Sequence, residues 1–185
     1  LALAALAWGF FRDPSRAWAN VLVNNFYLLS LGLADLFFIA INHLTASSWW
    51  VALRRVPEAM IVIIPVMIVP MLLLYFGRHE LYHWSHQDVI HHDPILAGKS
   101  PWLNTGFFFA RMAFFLGLWA VFAHLIRKQS LRQDALPGPE PYRRLNRLSA
   151  IFIPVFAISL SLASFDWLMS LEPHWYSTMF PWYMF

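Results

Sequence analysis

Three charged residues lie inside apolar runs of this 185-residue chain: Asp35, Arg111 and Asp166. A charge at membrane depth costs at least ~2.5 kcal/mol, so such residues usually mark a proton, ion or substrate path. Asn24, Asp35 and Asn42 are separated by 11 and 7 residues, steps that return to within about 20° of one helix direction. They predict a polar stripe, and Gly32 leaves room beside it for another helix or for water. Ser159, Asp166 and Ser170 repeat the pattern. Arg111 and Asp166 fall at matching depth on antiparallel spans, which predicts that they pair, since an isolated charge there is expensive. His43 and His124, near one pair of helix ends, have the titration range for a proton entrance. At the opposite ends Glu172, His174 and His79 are candidates for proton release. The residue set reads as a relay, with Asp35 at mid-depth and Asp166 with Arg111 gating the outer half. None of these residues is assigned a catalytic or metal-ligating role.

Helices must hold these groups. Hydrophobic residues make up 59% of the chain and charged residues 12%, with 17 Phe and ten Trp. That composition suits lipid as the main solvent. About 20 apolar residues span a bilayer as a helix. Spans are expected at 19–44, 58–76, 105–126 and 148–171, with a truncated helix at 1–11. The fold class is therefore an all-α, polytopic transmembrane helix bundle, read here as an internal portion of a longer protein. Pro65 and Pro70 should kink the second span, freeing the carbonyls of Ile61 and Val66, and Pro154 should bend the last. The connection 127–147, rich in Pro and Arg, is expected to be a solvated loop. The second and fourth connections hold eight Lys and Arg against four in the first and third. That bias places them on the cytoplasmic side and segment 77–104 outside.

Cysteine is absent, which excludes disulfides, thiolate-ligated metal and Cys-x-x-Cys-His haem attachment within these residues. The net charge of +3 comes with no basic tract suited to nucleic acid. The outer segment carries His79, His83 and His86 at i, i+4, i+7, followed by His91, His92 and Asp93. This stretch is similar to the histidine boxes of di-iron membrane oxygenases, but those boxes are spread over separate cytoplasmic loops. An interfacial helix, with Tyr82 and Trp84 at headgroup level, is the preferred reading. His79, Glu80 and His83 could exchange protons or contact a quinone there.

The run SFDWLMSLEPHWYSTMF (164–180), with ELYHWS (80–85) and HHDPILAGKSPWLN (91–104), resembles the polysulfide-reductase-type (NrfD-like) membrane subunits of bacterial alternative complex III. The resemblance is to the second such subunit of that quinol:electron-acceptor oxidoreductase. Pro181 stands where the family usually has glycine. The resemblance implies a subunit of roughly ten helices containing four-helix bundles, in a bacterial inner membrane. It implies a proton-translocating or structural role, with quinol oxidation mainly in a sister subunit. It also implies an iron–sulfur subunit and multi-haem cytochrome c subunits as partners, quinone or menaquinone as a possible ligand, and no covalently bound cofactor in this chain. Three alternatives stay open from the residues alone: a haem b anchor using His43 and His124, a histidine-box oxygenase, and an ion-coupled transporter with a midplane aspartate.

Overall fold

The structure, a computed structural model, describes residues 8–86, 93–135 and 138–184. Every regular element among the described residues is helical. After a short helical stretch at 8–12 come α1 (Pro14–Leu44), α2 (Arg55–Met60), α3 (Ile63–Val66) and α4 (Ile68–Leu72). They are followed by α5 (Arg78–Leu81), α6 (Pro94–Lys99), α7 (Thr105–Ala135), α8 (Pro139–Trp167) and α9 (Phe180–Met184). Four helical spans are long and apolar enough to cross a membrane: Pro14–Leu44, Arg55–Tyr75, Thr105–Ala135 and Pro139–Leu171. No more than 44% of any span's apolar window is buried within the chain. Large apolar side chains such as Val23, Phe114, Val121 and Ile158 point outward instead. The chain is a polytopic helical membrane protein.

Short polar caps set the helix starts. Asp13 accepts from the Arg16 N–H at 3.1 Å, with Pro14 at the first helical position. Asp93 does the same for Ile95 at 2.9 Å ahead of Pro94, and Asn104 for Phe107 at 2.8 Å. The Asp13 cap and Pro14 start α1 five residues ahead of the expected 19.

The largest correction concerns 127–147. α7 continues to Ala135 and α8 begins at Pro139, so most of the expected loop is helix. Pro139 and Pro141 occupy the first turn of α8, where no backbone donor is needed, and there proline starts a helix rather than stopping one. Residues 136–137 lie outside the described set.

The second span breaks into α2, α3, α4 and a 3₁₀ turn at Leu73–Tyr75. Pro65 cannot donate to Ile61, and that carbonyl is taken by the Ile64 N–H at 3.1 Å. Below Pro70 the Asn25 amide donates across to the Pro70 carbonyl at 3.0 Å. A local backbone bond and one side chain of a neighbouring helix, Asn25, thus satisfy these backbone groups. Pro154 sits inside a continuous α8.

The chain divides into two compact units. The first comprises Leu1–Phe26, Val69–Phe114 and Leu160–Phe185, the second Tyr27–Ile68 and Phe115–Ser159. In the first, Tyr82, Trp84 and Phe108 pack edge-on and tilted with centroids 5.0–5.2 Å apart. Lys99 donates to the Pro173 carbonyl at 2.6 Å, and His174 meets Asp93 at 2.8 Å. The third connection and the segment after α8 therefore share one end of this unit. In the second unit Phe152 lies between Phe122 and Phe156, and the Trp119 indole donates to Ser159 at 2.8 Å. Arg54 reaches Gln133 and Asp134, so the second connection and the end of α7 share one end. Both groupings agree with the alternating topology.

Gly32 is filled by a helix, not by water. A Cβ there would lie 2.4 Å from Ile63 and 2.9 Å from Ile64, whereas one at Gly117 meets nothing within 4 Å. Gly32→Ala should therefore destabilise the protein by about 1–3 kcal/mol through overpacking. Gly117→Ala should be neutral or stabilise by up to ~1 kcal/mol through helix propensity. Thermal melts of the two variants in one detergent check the contrast, and equal melting points would contradict the packing.

Candidate functional site

The first unit holds a buried, saturated ion pair. Arg111 on α7 and Asp166 on α8 meet as a two-point fork: Nε donates to Oδ2 at 2.7 Å and Nη2 to Oδ1 at 3.0 Å. The pairing expected from their matching depth is present. The carboxylate is fully buried and Arg111 is 8% exposed. The Trp102 indole adds a third donor to Oδ1 at 2.8 Å, and Arg111 Nη1 donates to the Trp102 carbonyl at 3.1 Å. The guanidinium lies 4.1 Å from the Trp102 ring centre and 4.2 Å from that of Phe107. Charge-assisted bidentate bonds and cation–π contacts are both strengthened where water is excluded. The sequence reading missed Trp102 and Phe107. Phe107 stands four residues before Arg111, a helical-neighbour spacing that could have signalled it.

The end of α8 completes the surroundings. Ser170 donates to the Asp166 carbonyl. The Tyr82 phenol donates to the Trp167 carbonyl at 3.0 Å. Both satisfy orphan acceptors of a helix C-terminus. Burial, with the Asp166 carboxylate nearby, raises the Tyr82 pKa far above the ordinary phenol range. Asp166 and Ser170 then face a cavity of about 290 Å³, with Lys99, Trp102, Trp175 and Tyr176 among its walls. One carboxylate, one ammonium and several aromatic faces suit a flat ring bearing polar oxygens.

Other candidates at this end are dispersed. Glu172 is exposed, and His174 is occupied by Asp93. His79 is exposed and shares a hydrogen bond with Ser85 at 3.2 Å, its ring 5.1 Å from that of His86. Glu80 accepts from Ser15. His83 is exposed, with no polar partner among the described residues. The expected interfacial helix is corrected: α5 ends at Leu81, Tyr82 is extended, and a 3₁₀ turn covers His83–Ser85. His79, His83 and His86 therefore do not line one helical face. Tyr82 and Trp84 are core residues, 0% and 2% exposed, because the extended Tyr82 turns the chain inward. His91 and His92 lie outside the described residues.

In the second unit Asp35 is half-buried and has no hydrogen-bond or ionic partner among the described residues. The asparagines of its expected stripe are spent locally. Asn24, in the first unit, is exposed and bonded to the Asn20 carbonyl at 2.7 Å. Asn42 is buried and bonded to the Phe38 carbonyl at 2.8 Å. His43 is buried edge-on to Trp50 at 4.7 Å, and its Nε2 has no hydrogen-bond partner among the described residues. His124 is exposed, and it does not line the cavity that His43 lines. That cavity therefore does not present the two imidazoles as a haem-ligand pair.

Glu58, taken at first only as a helix start, is 2% exposed and accepts from Ser130 and Arg55. Arg54 and Arg55 both bind Asp134. Arg55 and Glu58 are i, i+3 neighbours, a spacing at which helical charges pair.

Fold and site together define a multi-pass membrane protein with a charge pair held inside its helices. The chain matches no protein-family model, and no curated protein is significantly similar to it.

Two predictions follow from the first unit. Asp166→Ala or Arg111→Ala alone should cost about 3–5 kcal/mol by stranding a buried charge, whereas Arg111→Met with Asp166→Leu should recover most of that loss. Melting points of all three variants check this, and an additive double variant would contradict it. Tyr82 has a folded pKa above its unfolded value near 10. The stability it contributes is thus complete below about pH 10 and declines above it. Tyr82→Phe should shallow that alkaline decline, read as melting point against pH.

Proposed function

We propose that this chain is a membrane subunit of a bacterial quinol:electron-acceptor oxidoreductase of the alternative complex III type, and that it supplies part of a proton path beside a quinone-site-like cavity. The observation that carries the reading is the Asp166 carboxylate. It is tied to Arg111 within transmembrane helices and stands on the wall of an aromatic cavity that also holds Lys99. The resemblance of 164–180, 80–85 and 91–104 to that family supports the same assignment. Its partners are then a sister polysulfide-reductase-type subunit, an iron–sulfur subunit and multi-haem cytochrome c subunits, in the bacterial inner membrane. When a quinol is bound by such a complex it supplies two electrons and two protons.

The chain's own residues divide the labour. Lys99, Trp102 and Tyr176 shape the cavity. Asp166 takes up a proton only if Arg111 releases an oxygen, because both carboxylate oxygens are engaged. The Trp102 indole and carbonyl hold Oδ1 and Nη1 in place meanwhile, which makes the step a local gate rather than a general rearrangement. Asp35 makes no competing polar bond among the described residues and serves as the carrier in the other unit.

Asp35→Asn and Asp166→Asn should leave haem-containing partners co-purifying while lowering protons moved per electron in reconstituted vesicles. Asp35→Asn is the cleaner arm, since it breaks no contact. An unchanged ratio in both variants, with turnover intact, removes the proton-path role. Purification without any haem c subunit removes the assignment to this class of complex.

A further inference from the structure

The second unit contains a polar cavity that the proton-path reading does not use. It measures about 190 Å³ and is lined by Asn42, His43, Ser47, Arg54, Gln133 and Tyr142, among others. Since one water takes about 30 Å³ of liquid, the space accommodates several polar atoms. His43 on its wall is 4% exposed and its buried Nε2 has no hydrogen-bond partner among the described residues. Leaving such a group unpaired costs about 1–3 kcal/mol, so it signals a partner that enters the site.

Charge and position identify the partner's chemistry. The segments forming this end of the unit carry Arg54, Arg55, Arg127, Lys128, Arg132, Arg143, Arg144 and Arg147 against Glu58, Asp134 and Glu140. Eight positive charges against three negative leave an excess of five. Asp134 is shared by Arg54 and Arg55, and Glu58 also meets Arg55, so the excess resides in the remaining Lys and Arg of these segments. Beside the polar cavity the chain turns apolar side chains outward: Leu44, Trp49, Val51 and Leu53 are 41–63% exposed. Guanidinium, imidazole and hydroxyl groups next to an apolar rim form the boundary between headgroup and acyl chain.

We propose that this cavity binds the phosphate of an anionic phospholipid, with Arg54 and the His43 Nε2–H as principal donors, Ser47 and Tyr142 as supporting ones, and Trp49, Val51 and Leu53 against the acyl chains. The neutral imidazole adopts the tautomer that puts its proton on Nε2. The site is independent of the quinol reading, because it requires neither a quinone nor electron transfer.

Native mass spectrometry of the intact protein or its complex tests the proposal. It would be purified in a non-ionic detergent and exposed separately to phosphatidylglycerol, phosphatidylcholine and inorganic phosphate. The wild type should retain phosphatidylglycerol at least about tenfold more than phosphatidylcholine. Arg54→Gln and His43→Phe should each lower that retention about tenfold, the loss expected for one charge-assisted hydrogen bond. His43→Phe keeps a ring against Trp50, and helical circular dichroism of both variants verifies folding. Where either variant is misfolded, Tyr142→Phe with Ser47→Ala, which perturbs neither the ring contact nor the salt bridges, should lower retention at least threefold. Equal retention of the two lipids, or folded variants that hold phosphatidylglycerol like the wild type, overturns the proposal. Adducts of inorganic phosphate without phosphatidylglycerol would overturn the lipid as the source of the anion.

Discussion

A polar group in an apolar medium must be met by another polar group, and the first unit is arranged around that requirement. The Asp166 carboxylate and the Arg111 guanidinium neutralise one another, yet a bare pair would leave lone pairs and N–H groups unspent. Trp102 supplies both missing functions, its indole to the acid and its carbonyl to the base. That double duty requires the chain to turn back just before α7, which the Asn104 cap secures. Tyr82 and Ser170 then close the carbonyls at the end of α8. One buried charge pair thereby dictates a connection, a helix start and a helix end. The rings of Trp102 and Phe107 are themselves 43–44% exposed and stand between the guanidinium and the surroundings.

Proline shows how position decides the sign of an effect. Pro14, Pro94 and Pro139 stand at helix starts and favour them. Pro65 and Pro70 stand within a span and divide it into short helices. The same missing donor is harmless where the first turn has no acceptor to serve and disruptive where it does. Asn25 on α1 adds a bond to this broken span, its amide donating to the Pro70 carbonyl. A broken helix in a membrane needs such a neighbour, and the apolar sequence around it gives no direct hint of which residue that is.

The legibility of the sequence follows these physical lines. All four spans could be read because lipid demands long apolar runs, a requirement that leaves a mark on every residue of the run. The Arg111–Asp166 pair was readable because antiparallel helices convert sequence position into depth. The ends of α7 and α8 were misread because LPGPEP has the composition of a loop, and only the register of Pro139 and Pro141 makes them helix-starting residues. The three histidines 79, 83 and 86 were placed on one helical face by spacing alone. An extended Tyr82, buried for its phenol and ring contacts, interrupts that spacing. Glu58 and Trp102 were missed for a common reason: their partners, Ser130 and Asp166, lie 72 and 64 residues away.

The distribution of satisfied and unsatisfied groups ranks the candidate residues by what each can do. Arg111 and Asp166 have every strong bond made, so any motion there begins with a bond broken and is slow unless something compensates. Such a pair suits holding a shape, or switching between two states, better than passing a proton continuously. Asp35 has no polar bond to lose among the described residues, which is the condition the proposed carrier role requires. His43 differs from both, being buried deeply enough to require a partner and having none at Nε2 among the described residues. A group of that kind is completed from outside the polypeptide. The basic excess around it makes an anion the species most favoured to arrive.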